Sequence, residues 1–222
     1  MGADLHATWI ELYGRALFNG VMTTVGLIAV TTLLGGAASV VGAAARRSNL
    51  AWCRAVALGY VELIRNTPFI VQLFFVFFGL PSLGIRLNAV TAAVLAMTIN
   101  VSAYGTEIMR AGLDSVPPGH REAGMALGLK APTIFLKIVL PQALRTVFPA
   151  LASQIVITML ESAVVSQIAV RDLTYEADLI QSRTFRSFDT YLLVTMIYLG
   201  LSILLRRVLG LGARQLLGPG VG

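Results

Sequence analysis

Glu122 to Pro141 reads EAGMALGLKAPTIFLKIVLP, a short, mixed segment set between long apolar runs. Ser115-Val116-Pro117-Pro118-Gly119-His120-Arg121 leads into it. Ser115 can cap a helix, and the prolines suit its first turn. Glu122 favours the positive N-terminal end and Gly128 suits a left-handed stop, so these residues predict a short helix from about Pro118 to Leu127. At ~1.5 Å of rise per residue such a helix is too short to cross a bilayer, and it is too polar as well. Its alanines, Gly124 and Leu127 give it a small-residue surface able to sit in a groove on another protein. The plain alternative is an ordinary interfacial helix. Either way the segment reads as a handle and not as a catalytic site.

What surrounds it is a membrane protein. The 222-residue chain is 56% hydrophobic and 13% charged, and its mean hydropathy is +0.78, well to the apolar side of soluble domains. Charge-free stretches run over 16–45, 66–85, 87–106, 146–160 and 190–205. Most approach the ~20 residues that a spanning helix needs, and the fourth resumes its apolar character through Val170 beyond the single acid Glu161. Five transmembrane helices in an all-α membrane protein are expected.

The basic residues orient the chain. Arg46, Arg47 and Arg54 separate spans one and two, and Arg110, Arg121, Lys130, Lys137 and Arg145 surround the Glu122 segment. Arg206, Arg207 and Arg214 follow span five. Lys and Arg concentrate on the cytoplasmic side near span ends, so these regions are expected inside, with the N-terminus outside and the C-terminus inside. The net charge of +6 follows from that topology, and no aromatic-laced basic patch points to nucleic acid. The N-terminus carries Asp4 and Glu11 without a basic start, unlike a cleavable signal peptide. Cys53 is the only cysteine, which excludes an internal disulfide, and His6 and His120 have no metal-ligand spacing. The expected organisation is a short extracytoplasmic segment over 1–14, a transmembrane domain over 15–212 containing the loop at about 115–141, and a cytoplasmic tail over 213–222.

Within the spans, Gly26, Gly35, Gly36, Ala37, Ala38 and Gly42 mark span one as a close-packing helix. Glu62 and Arg65 share a helix face and can pair, and Pro68 is placed to kink span two. Glu107 and Arg110 have the same spacing and read as a structural ion pair. Asn100, Ser102 and Tyr104 lie nearer mid-membrane, where polar groups face the protein interior, so they are candidates for lining a pathway. From Arg171 to Asp189, Leu173, Ala177, Ile180, Thr184 and Phe188 recur at helical steps, predicting an amphipathic helix lying on the outer surface.

Glu161 is the sharpest candidate. A carboxylate in an apolar interior costs several kcal/mol unless a cation, a donor or water meets it. It could contact the ammonium or a basic side chain of a translocating amino acid, with Asn100 and Ser162 supplying hydrogen bonds. An arginine partner, or protonation by burial, would satisfy it equally.

The order Glu122, Ala123, Gly124, Gly128, Ile138, Leu140, Pro141 resembles the EAA loop of ABC importer permeases. Asn19-Gly20 with Thr23-Thr24, the stretch Glu62 to Pro68, Asn100 to Tyr104 with Glu107-Ile108, and Val164 to Val170 before Asp172-Leu173 extend the resemblance to the polar-amino-acid importers over nearly the whole chain. Gly124 stands where that loop usually has its second alanine. Leu160-Glu161-Ser162-Ala163-Val164 stands where relatives often read Lys-Asp-Thr-Ser-Leu, so a basic position has become leucine.

The resemblance implies a type I ABC importer permease fold and a multi-pass protein of the bacterial inner membrane. It implies two cytoplasmic ABC ATPases, a second permease identical or related, and an extracytoplasmic solute-binding protein as partners. Transport would be by alternating access, with Glu122, Ala123, Gly124, Ala126, Leu127 and Gly128 as the ATPase-coupling residues. No G-x-x-x-x-G-K-S/T phosphate loop is present, so ATP and magnesium belong on another chain, with no cofactor on this one, and the permease is not expected to be an enzyme. The competing classes are an ion-coupled secondary transporter or channel, with Glu62, Glu107 and Glu161 as ion sites, and a non-transporting membrane scaffold. The inverted repeats usual in secondary transporters are not apparent.

Overall fold

A computed structural model describes residues 2–218, with side chains described for 13–215, 217 and 218. The expectations attached to Asp4, His6 and Glu11, and to the tail beyond Gly218, fall outside the described side chains and residues. The described chain is helical, without strands. In order come α1 (Gly2–Arg46), α2 (Ala51–Arg65), α3 (Phe69–Phe74), α4 (Ala89–Asp114), α5 (Pro118–Ala126), α6 (Ala131–Ile134), α7 (Leu140–Glu161), α8 (Leu173–Thr184) and α9 (Ser187–Leu217). Residues 2–14, expected as a separate segment, continue α1 without a break.

Among the described residues four helical stretches are long and apolar enough to span: Tyr13–Arg46, Ala89–Asp114, Ala131–Ile168 and Ser187–Gln215. Where a fifth span was expected stands a bent pair, Ala51–Arg65 followed by Phe69–Leu83, turned by 107°, which counts as span two when its two arms are taken as one broken span. The turn goes further than a kink, and side chains hold it. Pro68 is extended (φ −62°, ψ 139°), as a proline with no N–H to continue α2 dictates. The carbonyls freed at the end of α2 are taken up locally. Asn66 Nδ2 donates to Glu62 O at 2.8 Å, Thr67 Oγ1 to Leu63 O at 2.9 Å, and Gln72 Nε2 to Ile64 O at 2.7 Å. A break inside a membrane protein persists only when its backbone groups are satisfied in this way.

Two π-helical stretches, Phe75–Gly79 and Phe135–Val139, share a cause. Each is followed two residues later by a proline, Pro81 and Pro141. A proline in a regular helix would clash with the carbonyl four residues back, and one wider turn relieves that clash. The second stretch joins α6 to α7 in one span. Residues 131–141, expected within the loop, are therefore the first turns of span four.

The core is built where α1 meets α4. Gly35 faces Val101 so closely that a Cβ would lie 2.6 Å from Val101 Cγ1, and Gly105 stands against Ser39 in the same way. Ser39 Oγ reaches across to Ser102 O at 3.3 Å. Gly35 and Ser39 lie one turn apart on one face, the small-residue seam by which membrane helices approach. Gly26 and Gly36 meet open space, so only part of the glycine-rich stretch packs.

At the far end from α5, helix α8 is buried among its neighbours, against the expectation that it lies on the surface. Leu173, Ala177 and Ile180 pack with Leu17 of α1 and Val194 of α9. Gly20 makes this possible, because a Cβ there would sit 2.8 Å from Leu173 Cα and 3.0 Å from Asp172 O. Asp172 caps α8, its Oδ1 accepting from Tyr175 N at 2.9 Å, and Thr24 Oγ1 accepts from Leu173 N at 3.3 Å. Burial pushes the Asp172 carboxyl up to about 6, against the opposing pull of its backbone hydrogen bonds. Phe188, expected on the buried stripe, is 78% exposed because left-handed Phe185 (φ 57°) ends α8 and breaks its register.

Candidate functional site: a projecting helix and a polar interior

Two regions hold the residues that the sequence singled out. The first is α5, which spans Pro118–Ala126, close to the sequence expectation. Its stop is a Schellman turn: Gly128 (φ 71°) donates its N–H to Met125 O at 2.9 Å, and Leu129 N donates to Gly124 O at 3.1 Å. Its start differs from expectation. Pro117 is the cap and Ser115 Oγ turns back to Gly112 O at 2.8 Å, so Ser115 closes α4 instead of opening α5. Glu122 sits in the second turn, away from the N-terminal amides.

The faces of α5 are distinct. Glu122, Ala123, Ala126 and Leu127 are exposed, Leu127 by 78%. Gly124 is buried beneath the helix, where an added Cβ would lie 2.9 Å from Ile134 Cγ1 and 3.3 Å from Ile138 Cδ1. Gly124 therefore packs α5 onto the α6–α7 span, and its missing methyl is explained there and not on the outer surface. Ile138, part of the quoted segment, supplies the other side of that contact.

The ion pair expected at Glu107 and Arg110 belongs to a larger network where α1 and α4 end. Arg110 Nη2 lies 2.6 Å from Glu107 Oε1, and Arg110 Nη1 lies 2.5 Å from Asp114 Oδ2. Arg47 Nη1 meets Asp114 Oδ1 at 2.6 Å, and Arg46 approaches Glu107 at 3.9 Å. These contacts staple the two helices. The pair expected between Glu62 and Arg65 does not form, because Arg65 turns to the Tyr104 ring, 5.4 Å from its centroid. An exposed i, i+3 pair is weak, and a cation over an aromatic face competes with it.

The second region is interior. Asn100, 3% exposed, donates from Nδ2 to Gln72 Oε1 at 3.1 Å, while its buried Oδ1 has no partner among the described residues. Ser102 Oγ bonds to Ile99 O at 2.9 Å and meets the Tyr60 hydroxyl, which donates to Ile99 O at 2.7 Å. Asn100, Ser102 and Tyr104 thus all bind α4 to the bent second span, through Gln72, Tyr60 and Arg65. Glu161 is half-buried at the last residue of α7, with no hydrogen bond or ion pair among the described residues. Ser162 is fully buried and donates to Met159 O at 2.6 Å. No hydrogen bond joins Glu161 to Asn100, Ser102 or Tyr104 among the described residues. At Glu161 the helix tightens into the 3-10 turn Ser162–Ile168, which ends at left-handed Ala169. Gln72 was not singled out by the sequence reading, although a lone amide inside the apolar run that follows Pro68 was the available signal.

A helical bundle with a broken second span, a tightly packed α1–α4 seam and a capped helix projecting from one end defines a multi-span membrane protein. Residues 35–219 match the family described as the binding-protein-dependent transport system inner membrane component, and the chain belongs to it. It is 36% identical over 193 residues to a probable glutamine ABC transporter permease protein of Bacillus subtilis, covering 87% of this chain and 88% of that one. It is 35% identical over 212 residues to a glutamine transport system permease protein of Escherichia coli K12, covering 94% and 95%. The solved structure of an amino acid ABC transporter with histidines aligns at a TM-score of 0.86 and 35% identity, covering 93% of this chain and 96% of that one. An inward-facing methionine ABC transporter aligns at 0.63 with 18% identity, which speaks to fold alone. The protein is a type I ABC importer permease of the inner membrane, and its relatives are transport permease subunits.

Proposed function

We propose that this chain forms the translocation path for an amino acid, as one of two permeases mounted on two cytoplasmic ATPases and served by an extracytoplasmic binding protein. One observation carries the coupling role: α5 projects Glu122, Ala123, Ala126 and Leu127 to the exterior while Gly124 and the Schellman turn at Gly128 fix it to the span behind. A rigid, small-faced helix of this kind transmits a push from a partner to a span. The basic residues gathered at that end favour a cytoplasmic α5, a cytoplasmic C-terminus and an outside N-terminus. ATP and magnesium then sit on the partner chains, with none bound here.

For cargo, the glutamine permeases and the amino acid transporter among the similar proteins support an amino acid. Glu161 is our choice for the ammonium or a basic side chain, because it is a half-buried carboxylate in a span with no partner among the described residues, and such a group favours a cation. Asn100, with its unpartnered buried Oδ1, is the second polar group offered to the path, and Ser102, Tyr104 and Ser162 shape its walls.

The test is reconstitution in proteoliposomes with an ATPase and a binding protein. ATP hydrolysis should rise when the binding protein is loaded with amino acid, and uptake should require ATP. Uptake driven by an ion gradient without ATP would instead identify a secondary transporter. Replacing Glu161→Gln should change transport affinity or selectivity for cationic over neutral amino acids, and unchanged values would remove Glu161 from the path.

A further inference from the structure

A cavity of about 670 Å³ opens where α1 and α4 end, walled on its far side by α5 and the start of span four. Its polar lining is Arg47, Asp114 and Arg121, and its apolar lining includes Met125, Ile134 and Phe135. Asp114 is already engaged by Arg47 and Arg110, whereas Arg121 has no ion pair or hydrogen bond among the described residues. The lining therefore carries a net positive charge over an apolar floor. Arg121 and Met125, with Pro118, form one face of α5, while Glu122, Ala123, Ala126 and Leu127 lie on the rest of its exposed surface. The cavity is thus separate from the surface offered to an ATPase.

We infer that this cavity holds the phosphate headgroup of an anionic phospholipid, with its glycerol and upper acyl segment against the apolar floor. Three features favour this occupant. The volume lies within the ~300–1,000 Å³ of small-ligand sites. Guanidinium groups pair with phosphate through two parallel hydrogen bonds, and basic pockets between membrane helices recognise lipid headgroups. The position also fits, since Tyr13–Arg46 and Ala89–Asp114, two stretches long and apolar enough to span, both end beside the cavity. A lipid seated there would brace the inner face of α5 and make coupling depend on bilayer composition.

The full permease–ATPase complex is extracted from membranes containing phosphatidylglycerol, and retained lipid is measured by native mass spectrometry. Wild type should retain phosphatidylglycerol in preference to phosphatidylcholine. Arg121→Gln should lower that retention about tenfold, the equivalent of one charge-assisted contact. Ala131→Phe, which fills the cavity without touching a charge, should lower it as well. Equal retention in wild type and both variants would overturn the proposal. So would displacement of the lipid by millimolar inorganic phosphate, which would mark a free-anion site. Retention by the permease without its ATPase but not by the complex would place an ATPase segment in the cavity and refute the lipid assignment.

Discussion

Helices α5 and α8 are both short, both lie between spans and both begin after a polar or proline-rich turn, yet one is exposed and the other is enclosed. On α5 only Gly124 is buried, and the helix is fixed by that close contact, a C-terminal turn and the 2.6 Å hydrogen bond between His120 Nδ1 and Gln142 Oε1. On α8, Leu173, Glu176, Ala177 and Ile180 are all buried, and the first turn is fixed by Asp172, Thr24 and the backbone of Gly20. A helix fixed to one span with its other faces exposed can pass a partner's push to that span. A helix enclosed by two spans can only move with them. On the proposed function, that contrast makes α5 the handle and α8 the brace.

The largest effect is expected at the brace. In Gly20→Val the new atoms would meet backbone at 2.8 and 3.0 Å, and backbone cannot rotate away. A loss of about 3 kcal/mol or more is expected, read as a lower unfolding temperature of the purified permease or its failure to assemble. A tolerated Gly20→Val would show that α8 is not held against α1.

Next comes Gly128→Val on the handle. A β-branched residue at φ 71° costs about 1–2 kcal/mol locally and should reshape the turn without reaching the core, since an added Cβ there meets nothing within 4 Å. Membrane insertion should remain, and ATP hydrolysis should lose its link to uptake in proteoliposomes. Coupled transport at the normal rate would end the handle assignment.

A third, smaller effect separates the regions by pH. Asp172 holds its proton more strongly folded, at about 6, than at its ordinary 3.8. Its contribution to stability is therefore full below about pH 4, is lost as pH rises towards 6, and stays lost above that. Asp172→Asn keeps an oxygen to accept from Tyr175 N and removes the titration. Hydrogen exchange in the first turn of α8 should quicken between pH 4 and 6 in the native protein, after allowance for intrinsic exchange, and should lose that extra dependence in the variant. The smallest effect is expected for Gly124→Ala. The gain in helix propensity of up to ~1 kcal/mol opposes the crowding at Ile134, leaving unfolding within about 1 kcal/mol of wild type. A shift of several kcal/mol would mean that α5 is packed as firmly as α8.

Much of this was legible in the chain. Long charge-free stretches located spans one, three and five and only part of the other two, Pro117, Pro118 and Gly128 bracketed α5, and the spacing of Glu107 and Arg110 gave their ion pair. The misreadings have a common physical origin. Leu173, Ala177 and Ile180 show one apolar stripe whether lipid or protein covers it, so periodicity could not tell a surface helix from an enclosed one. Pro68 signalled a disturbance, but the size of the turn depended on Gln72, whose acceptors at Ile64 and Thr67 and donor at Asn100 converge only in the fold. Glu62 and Arg65 were spaced to pair, and Tyr104, distant in sequence, drew Arg65 away. Among the pathway candidates, the sequence supplied Asn100 and Glu161, while their different surroundings emerged only from packing.

By itself the sequence determined the solvent, the number of apolar segments and the identity of the Glu122 to Pro141 segment, because hydropathy, helix caps and prolines act over a few residues. The tertiary structure alone decided that span two is broken by 107°, that Gly124 faces inward and that α8 is enclosed. Those outcomes depend on which atoms from remote segments occupy the space beside a residue, and close packing between helices is a property no local pattern encodes.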